Sequence, residues 1–257
     1  MDYVKVNKES WNKRTEIHFS SEFYDVAGFL KGKNTLTSIE LDEVGDVSGK
    51  DLLHLQCHFG LDTLSWARLG ARVTGVDLSS SAVEKATMLS KQLQLDSHFI
   101  CSDLYSFGDS CEAEYDIVFT SYGVLCWLPD LDKWAKVIAR SLKPGGVFYM
   151  AEFHPFNDFL SGYPYFHQTE PDVENEGTYT ENDKGDTSTL VTWAHPLSDV
   201  VNALLKVGIQ ICQLNEYPYS PYNCFAGMTE GEKGKFYLSH QGQPIPLVYT
   251  IKGNKKL

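Results

Sequence analysis

Five clusters of polar and titratable residues stand where short apolar runs stop. KDLLHLQC runs into His54, Gln56, Cys57, His58 and Gly60, and ARVTGVD ends at Asp77. SHFIC is followed by Ser102, Asp103 and Leu104, YDIVFTS closes on Ser121 and Tyr122, and GVFYMAEF leads to His154. In an open α/β sheet ligands bind beyond the carboxyl ends of the strands, near the point where strand order reverses. A carboxylate closing the second strand, as Asp77 does, can grip a ribose because it accepts two hydroxyl hydrogen bonds with added charge. Asp77 could instead cap the next helix, although Ser79, Ser80 and Ser81 already offer caps, and Asp103 could be a turn former. His154 and Tyr122 are the candidate catalytic residues, because both follow strands that flank the same crevice and a histidine titrates near neutral pH. His54, Cys57 and His58 carry metal-ligand atoms. Alternate strand residues face opposite ways and no fourth ligand is suitably spaced, so no metal is expected.

The elements that must place these residues alternate. LDTLSWARLG, SSSAVEKATMLSKQLQL and DLDKWAKVIARSLK have helical spacing, and Glu84 three residues after Ser81 predicts a capping box. Strand and helix in alternation predict a Rossmann-like, doubly wound α/β sheet, mostly parallel, with helices on both faces and an antiparallel last strand, IPLVYTIKG. Before it, STLVTWAHP and IQICQLNEY read as strands and LSDVVNALLKVG as a Gly-stopped helix. The segment 7–30 reads as a helical arm on which Trp11, Arg14 and His18 share one face. From Pro155 the alternation breaks, and between Glu170 and Asp186 seven acidic residues accompany Lys184 alone. A mobile insertion is expected there. The whole is read as one domain: arm 1–49, core 50–154, insertion 155–196 and the rest of the sheet 197–257.

The ordered set LLHLQCHFG, VTGVD, Ser102-Asp103-Leu104, YDIVFTS and LKPGG resembles the class I S-adenosylmethionine-dependent methyltransferases over roughly 50–154. The resemblance implies methyl transfer from S-adenosyl-L-methionine to a small-molecule acceptor. It further implies that the loop holding Gln56, His58 and Gly60 runs beneath the methionine part of the cofactor. Asp77 would hold the ribose, Leu78 would pack on adenine, and Asp103 with Leu104 would recognise the adenine amino edge. Ser121 would lie at the same crevice, and Trp11 and Arg14 would close over the cofactor from the arm. The usual first loop has an acid and then three alternating glycines. Here His54, Gln56, His58 and Gly60 take those places, which by the resemblance removes a water-mediated partner for the cofactor ammonium group.

Composition narrows the setting. In 257 residues the net charge is −12, so nucleic acid and anionic membranes are poor partners. The six cysteines form no CxxC pair, which points to a reduced cytoplasmic protein. No membrane span or export signal is expected, and the sequence does not indicate an oligomeric state. Two other functions stay open. One is a non-catalytic binder of S-adenosylmethionine or its demethylated product. The other is a nicotinamide-dependent oxidoreductase, opposed by the missing GxGxxG after strand one.

Overall fold

The computed structural model describes residues 1–112 and 114–256. The arm folds as α1 (Tyr3–Phe19), α2 (Val26–Leu30) and α3 (Ser38–Val44). The core then alternates β1 (Asp51–Leu55), α4 (Leu61–Arg68), β2 (Arg72–Asp77), α5 (Ser80–Leu93), β3 (Ser97–Cys101), α6 (Leu104–Ser110), β4 (Tyr115–Ser121), α7 (Leu131–Ser141) and β5 (Leu142–Phe153). Next come α8 (Pro155–Leu160), β6 (Asp172–Glu176), β7 (Ser188–Thr192), α9 (Leu197–Lys206) and β8 (Ile209–Tyr217). Four two-residue strands, β9 (Thr229–Glu230), β10 (Phe236–Tyr237), β11 (Ser239–His240) and β12 (Gln243–Pro244), precede the last, β13 (Val248–Lys255).

Seven strands form one sheet in the order β3-β2-β1-β4-β5-β13-β8. The first five are mutually parallel, and β13 runs antiparallel to both β5 and β8, as the sequence predicts. The chain starts in the middle at β1, winds out to β3, and returns beside β1 as β4. The order therefore reverses between β1 and β4, and a crevice opens beyond their carboxyl ends.

Successive side chains of each central strand face opposite layers, and both layers are buried. Leu53, Leu55, Val118, Phe148 and Met150 pack with Trp134, Val137 and Ile138 of α7 and Val200 and Leu204 of α9. Leu52, Ile117, Phe119, Tyr149 and Ala151 point the other way, toward Leu36, Val44 and Trp66. In α7 the spacing Leu131, Trp134, Ala135 and Ile138 makes one apolar stripe, and Asp130 caps it by accepting from the Lys133 N–H at 3.0 Å.

One local expectation is corrected. Ser79, not Ser81, caps α5 by accepting from Ala82 N–H, so no Ser81–Glu84 box forms; a capping box does form on α3, between Thr37 and Glu40. The stretch after Pro155, expected as a mobile insertion, contains α8 and the antiparallel hairpin of β6 and β7. That hairpin is held to α1 by Asn7, whose Nδ2 donates to Val191 O at 2.8 Å and whose Oδ1 accepts from Val191 N–H at 3.0 Å. Among the described residues no helix is long and apolar enough to cross a membrane.

Candidate active site

The loop from β1 to α4 has the backbone shape that glycines usually provide. Gln56 and His58 adopt φ of 56° and 51°, left-handed values, and Gly60 follows at 77°. Only at Gly60 would a side chain also collide: a Cβ there would lie 2.7 Å from the Phe99 ring. Asp77, at the end of β2, holds this loop. Its Oδ2 accepts from His58 N–H at 2.7 Å and its Oδ1 from Ser79 N–H at 2.8 Å. Each carboxylate oxygen retains one lone pair, so two acceptor positions remain for a diol. Helix capping falls to Ser79, which leaves Asp77 for the crevice.

The other strand ends converge on the same space. Asp103 caps α6 through Oδ1, accepting from Tyr105 and Ser106 N–H at 3.1 Å each, and its Oδ2 accepts no hydrogen bond among the described residues. Gln56 reaches across to the loop after β4, donating from Nε2 to Val124 O at 2.9 Å. That loop is folded by Glu152 near the end of β5. The buried Glu152 carboxylate accepts from the backbone N–H groups of Gly123, Val124, Leu125 and Phe153. From above, Trp11 sets its ring 5.4 Å from His58 and 5.2 Å from Trp127. Arg14 donates to Gly177 O at 2.5 Å, and His18 Nε2 shares a 2.5 Å hydrogen bond with Thr178 Oγ1.

Together these walls enclose a cavity of about 1230 Å³. Trp11, Arg14, Gln56, His58, Gly60, Asp77, Leu78, Asp103, Leu104, Ser121 and Tyr122 all line it, eleven residues drawn from α1 and four strand ends. His154 is not among the lining. It caps α8, its Nδ1 accepting from Phe156 N–H at 3.1 Å, and its Nε2 lies 2.9 Å from Glu216 Oε1. Both ring nitrogens are engaged away from the crevice, so the structure does not bring His154 to Tyr122.

The cavity is acidic and poorly compensated. Burial pushes the carboxyls of Asp62 and Asp77 up to about 6. Burial pulls His54 down to about 3 and His58 well below the usual histidine range, so both rings are neutral at pH 7. The Tyr122 hydroxyl is pushed well up by burial and by Glu40, and keeps its proton. Gln56 Oε1 and His58 Nε2 are buried without hydrogen-bond partners. Among the described residues no group of three or more His, Cys, Asp and Glu could hold a metal ion. Such a site suits a ligand with a diol, a positive charge and an apolar body. Asp62, Glu152, Asp158 and Tyr222 also line it, and sequence reasoning missed them. Asp62 left a signal as an acid in the first turn of the helix after Gly60, and Glu152 as an acid at the end of the fifth apolar run.

Residues 53–150 match a family model described as "Methyltransferase domain". Over that region the chain is similar to methyltransferase domains. A ubiquinone biosynthesis O-methyltransferase of Coxiella burnetii is 28% identical over 149 residues, covering 57% of this chain and 62% of that protein. One from Alkalilimnicola ehrlichii is 30% identical over 131 residues, covering 49% and 53%. The chain thus spans little more than half the length of these relatives. A SAM-dependent methyltransferase structure from Methanosarcina mazei superposes with a TM-score of 0.60 at 18% identity, covering 86% of this chain and 99% of that one. It shares the fold. The matched methyltransferase region runs from β1 to β5, and so contains the strand ends carrying Gln56, Asp77, Asp103 and Tyr122 but not the α1 cover.

Proposed function

We propose that this protein transfers a methyl group from S-adenosyl-L-methionine to a small-molecule acceptor. The observation that carries the reading is the convergence of Asp77, Asp103 and the Gln56–Gly60 loop on one cavity roofed by Trp11 and Arg14. The residues fit the cofactor. Asp77 has two acceptor positions for the ribose diol, Leu78 and Leu104 offer apolar surface to adenine, and Asp103 Oδ2 is available to the adenine amine. Gln56 Oε1 and His58 Nε2 are unpartnered polar atoms beneath the methionine part, and Ser121 adds a hydroxyl beside them.

When bound, the cofactor supplies an activated methyl carbon. The chain's own contribution is then orientation and exclusion of water. Trp11, Tyr24 and Trp127 line the cavity with aromatic rings, a surrounding that favours a cation, and its carboxylates outnumber its lysines and arginines. Tyr122 keeps its proton and orients the acceptor by donating a hydrogen bond rather than abstracting a proton. The six unpaired cysteines support a reducing, cytoplasmic setting. Titration calorimetry with S-adenosylmethionine and S-adenosylhomocysteine, followed by turnover on a metabolite pool, tests the reading. Binding and product formation are expected. Absence of binding to both overturns it, and binding without turnover on any pool reduces the protein to a ligand-binding one.

A further inference from the structure

The resemblance puts the neutral, buried His54 at the position of the acid that partners the cofactor ammonium through water. Its Nδ1 lies 2.8 Å from Thr63 Oγ1 and its Nε2 3.4 Å from Ser121 Oγ. The Ser121 hydroxyl in turn lies 3.5 Å from Asp62 Oδ2. One hydroxyl therefore separates the imidazole from a carboxylate that lines the same cavity as Gln56 and Gly60. We propose that Asp62 is the partner of the methyl donor's α-ammonium group, in place of the acid missing at position 54. The assignment rests on the cofactor reading above.

Asp62 is placed for it by the chain's local geometry. Gly60 turns the backbone through a left-handed conformation into α4, and Asp62 falls in that helix's first turn. Its Oδ1 accepts from Thr35 Oγ1 at 2.6 Å, which fixes the carboxylate plane. Oδ2 has only the long Ser121 contact and so keeps accepting capacity toward the cavity. Among the described residues no lysine, arginine or protonated histidine forms an ion pair with Asp62.

The groups around it are Glu40 of α3, His54 of β1, Cys57 of the first loop, Tyr24 ahead of α2 and Tyr222. None is cationic at neutral pH. A half-buried carboxylate without countercharge is costly, and that cost shows as a carboxyl raised to about 6 by desolvation and then by Glu40. An ammonium removes it by supplying both charge and hydrogen-bond donors.

Calorimetry with two ligands isolates the contact. S-adenosylhomocysteine carries the amino-acid part, and 5′-methylthioadenosine has the same adenosine without it. Asp62→Asn is expected to weaken S-adenosylhomocysteine by about tenfold or more while leaving methylthioadenosine within about twofold. Methylthioadenosine binding also shows that the variant is folded. A second measurement needs no variant: at pH 6, in buffers of different ionisation enthalpy, wild-type protein should release more protons on binding S-adenosylhomocysteine than on binding methylthioadenosine. Equal losses for the two ligands, or no loss, together with equal proton release overturn the assignment alone. Wild-type protein that binds neither ligand overturns the cofactor reading, and the assignment with it.

Discussion

Replacing Glu152 by glutamine changes almost no volume, yet it should loosen the loop that walls the cleft beside Tyr122. The carboxylate divides four backbone donors between its oxygens: Gly123 and Phe153 on Oε1, Val124 at 2.8 Å and Leu125 at 3.1 Å on Oε2. A glutamine has one carbonyl oxygen, and its amide group would point two hydrogens at two of those donors. Whichever way the amide is turned, two N–H groups lose their acceptor, either the buried pair Val124 and Leu125 or the part-buried pair Gly123 and Phe153. Each such loss costs about 1–3 kcal/mol, so a total near 3 kcal/mol is expected after partial relaxation. In a chain of this length each kcal/mol moves Tm by roughly 2–4 °C, which gives a fall of roughly 6–12 °C. Circular-dichroism melts of the two proteins measure this, and amide exchange across 122–128 locates it. A variant melting within about 2 °C of wild type, with unchanged exchange, would show that the four N–H bonds do not hold the loop.

Asp77 gives a pH-dependent outcome. Its folded carboxyl, about 6, lies above the ordinary value of 3.8, so its contribution to stability is full below pH 4 and is lost as pH rises through 6. Asp77→Asn does not titrate, so its Tm relative to wild type should improve from pH 4 to pH 7; a pH-independent difference contradicts the burial argument. Asn7→Ala removes the paired hydrogen bonds between α1 and Val191 and should speed amide exchange in 3–19 and 188–192 by about tenfold, with β1 and β4 unchanged. Equal protection in both proteins would mean that the cover is held elsewhere. His154→Gln should leave turnover and donor affinity within about twofold, whereas Tyr122→Phe should lower turnover by roughly tenfold to a hundredfold at unchanged donor affinity. A large loss of turnover in His154→Gln, with binding intact, would restore that histidine as a proton carrier.

The central sheet was legible because its signal is local: β-branched and aromatic runs, Gly stops and cap residues recur at the right intervals from Asp51 to Phe153. What lay outside local signal depended on distant partners. DVENE is a strand because STLVT pairs with it and Asn7 grips the pair from α1, neither of which its own acidic composition reveals. Three consecutive serines left the start of α5 ambiguous, and Ser79 won because Asp77 fixes its N–H. His154 follows a strand end as expected, but capping α8 turns its ring back toward Glu216 on β8. Glu152 owes its role to four N–H groups, three of them on a loop about 28 residues away, so only the folded chain shows it.

Among the described residues six non-glycine residues have left-handed backbones, and Gln56, His58 and Tyr122 are three of them, all on the cavity wall. Each costs on the order of 1–2 kcal/mol, which glycine at the same position would avoid. The side chains explain why the cost is tolerated. Gln56 ties the first loop to Val124 across the switch point of the sheet. The His58 ring meets Trp11 and His18 of α1 at 5.4 and 5.2 Å, and Tyr122 packs on Phe153 and Tyr222 at 5.4 and 5.0 Å. Aromatic pairs of this kind contribute about 0.5–1.5 kcal/mol each, enough to offset the strain. A loop of glycines would cradle a ligand independently of what covers it. With His58 in that loop, the floor under the methionine part and the α1 cover share one aromatic contact, so a displacement of α1 changes the packing of the floor. The departure from the glycine pattern therefore couples the cover to the binding surface.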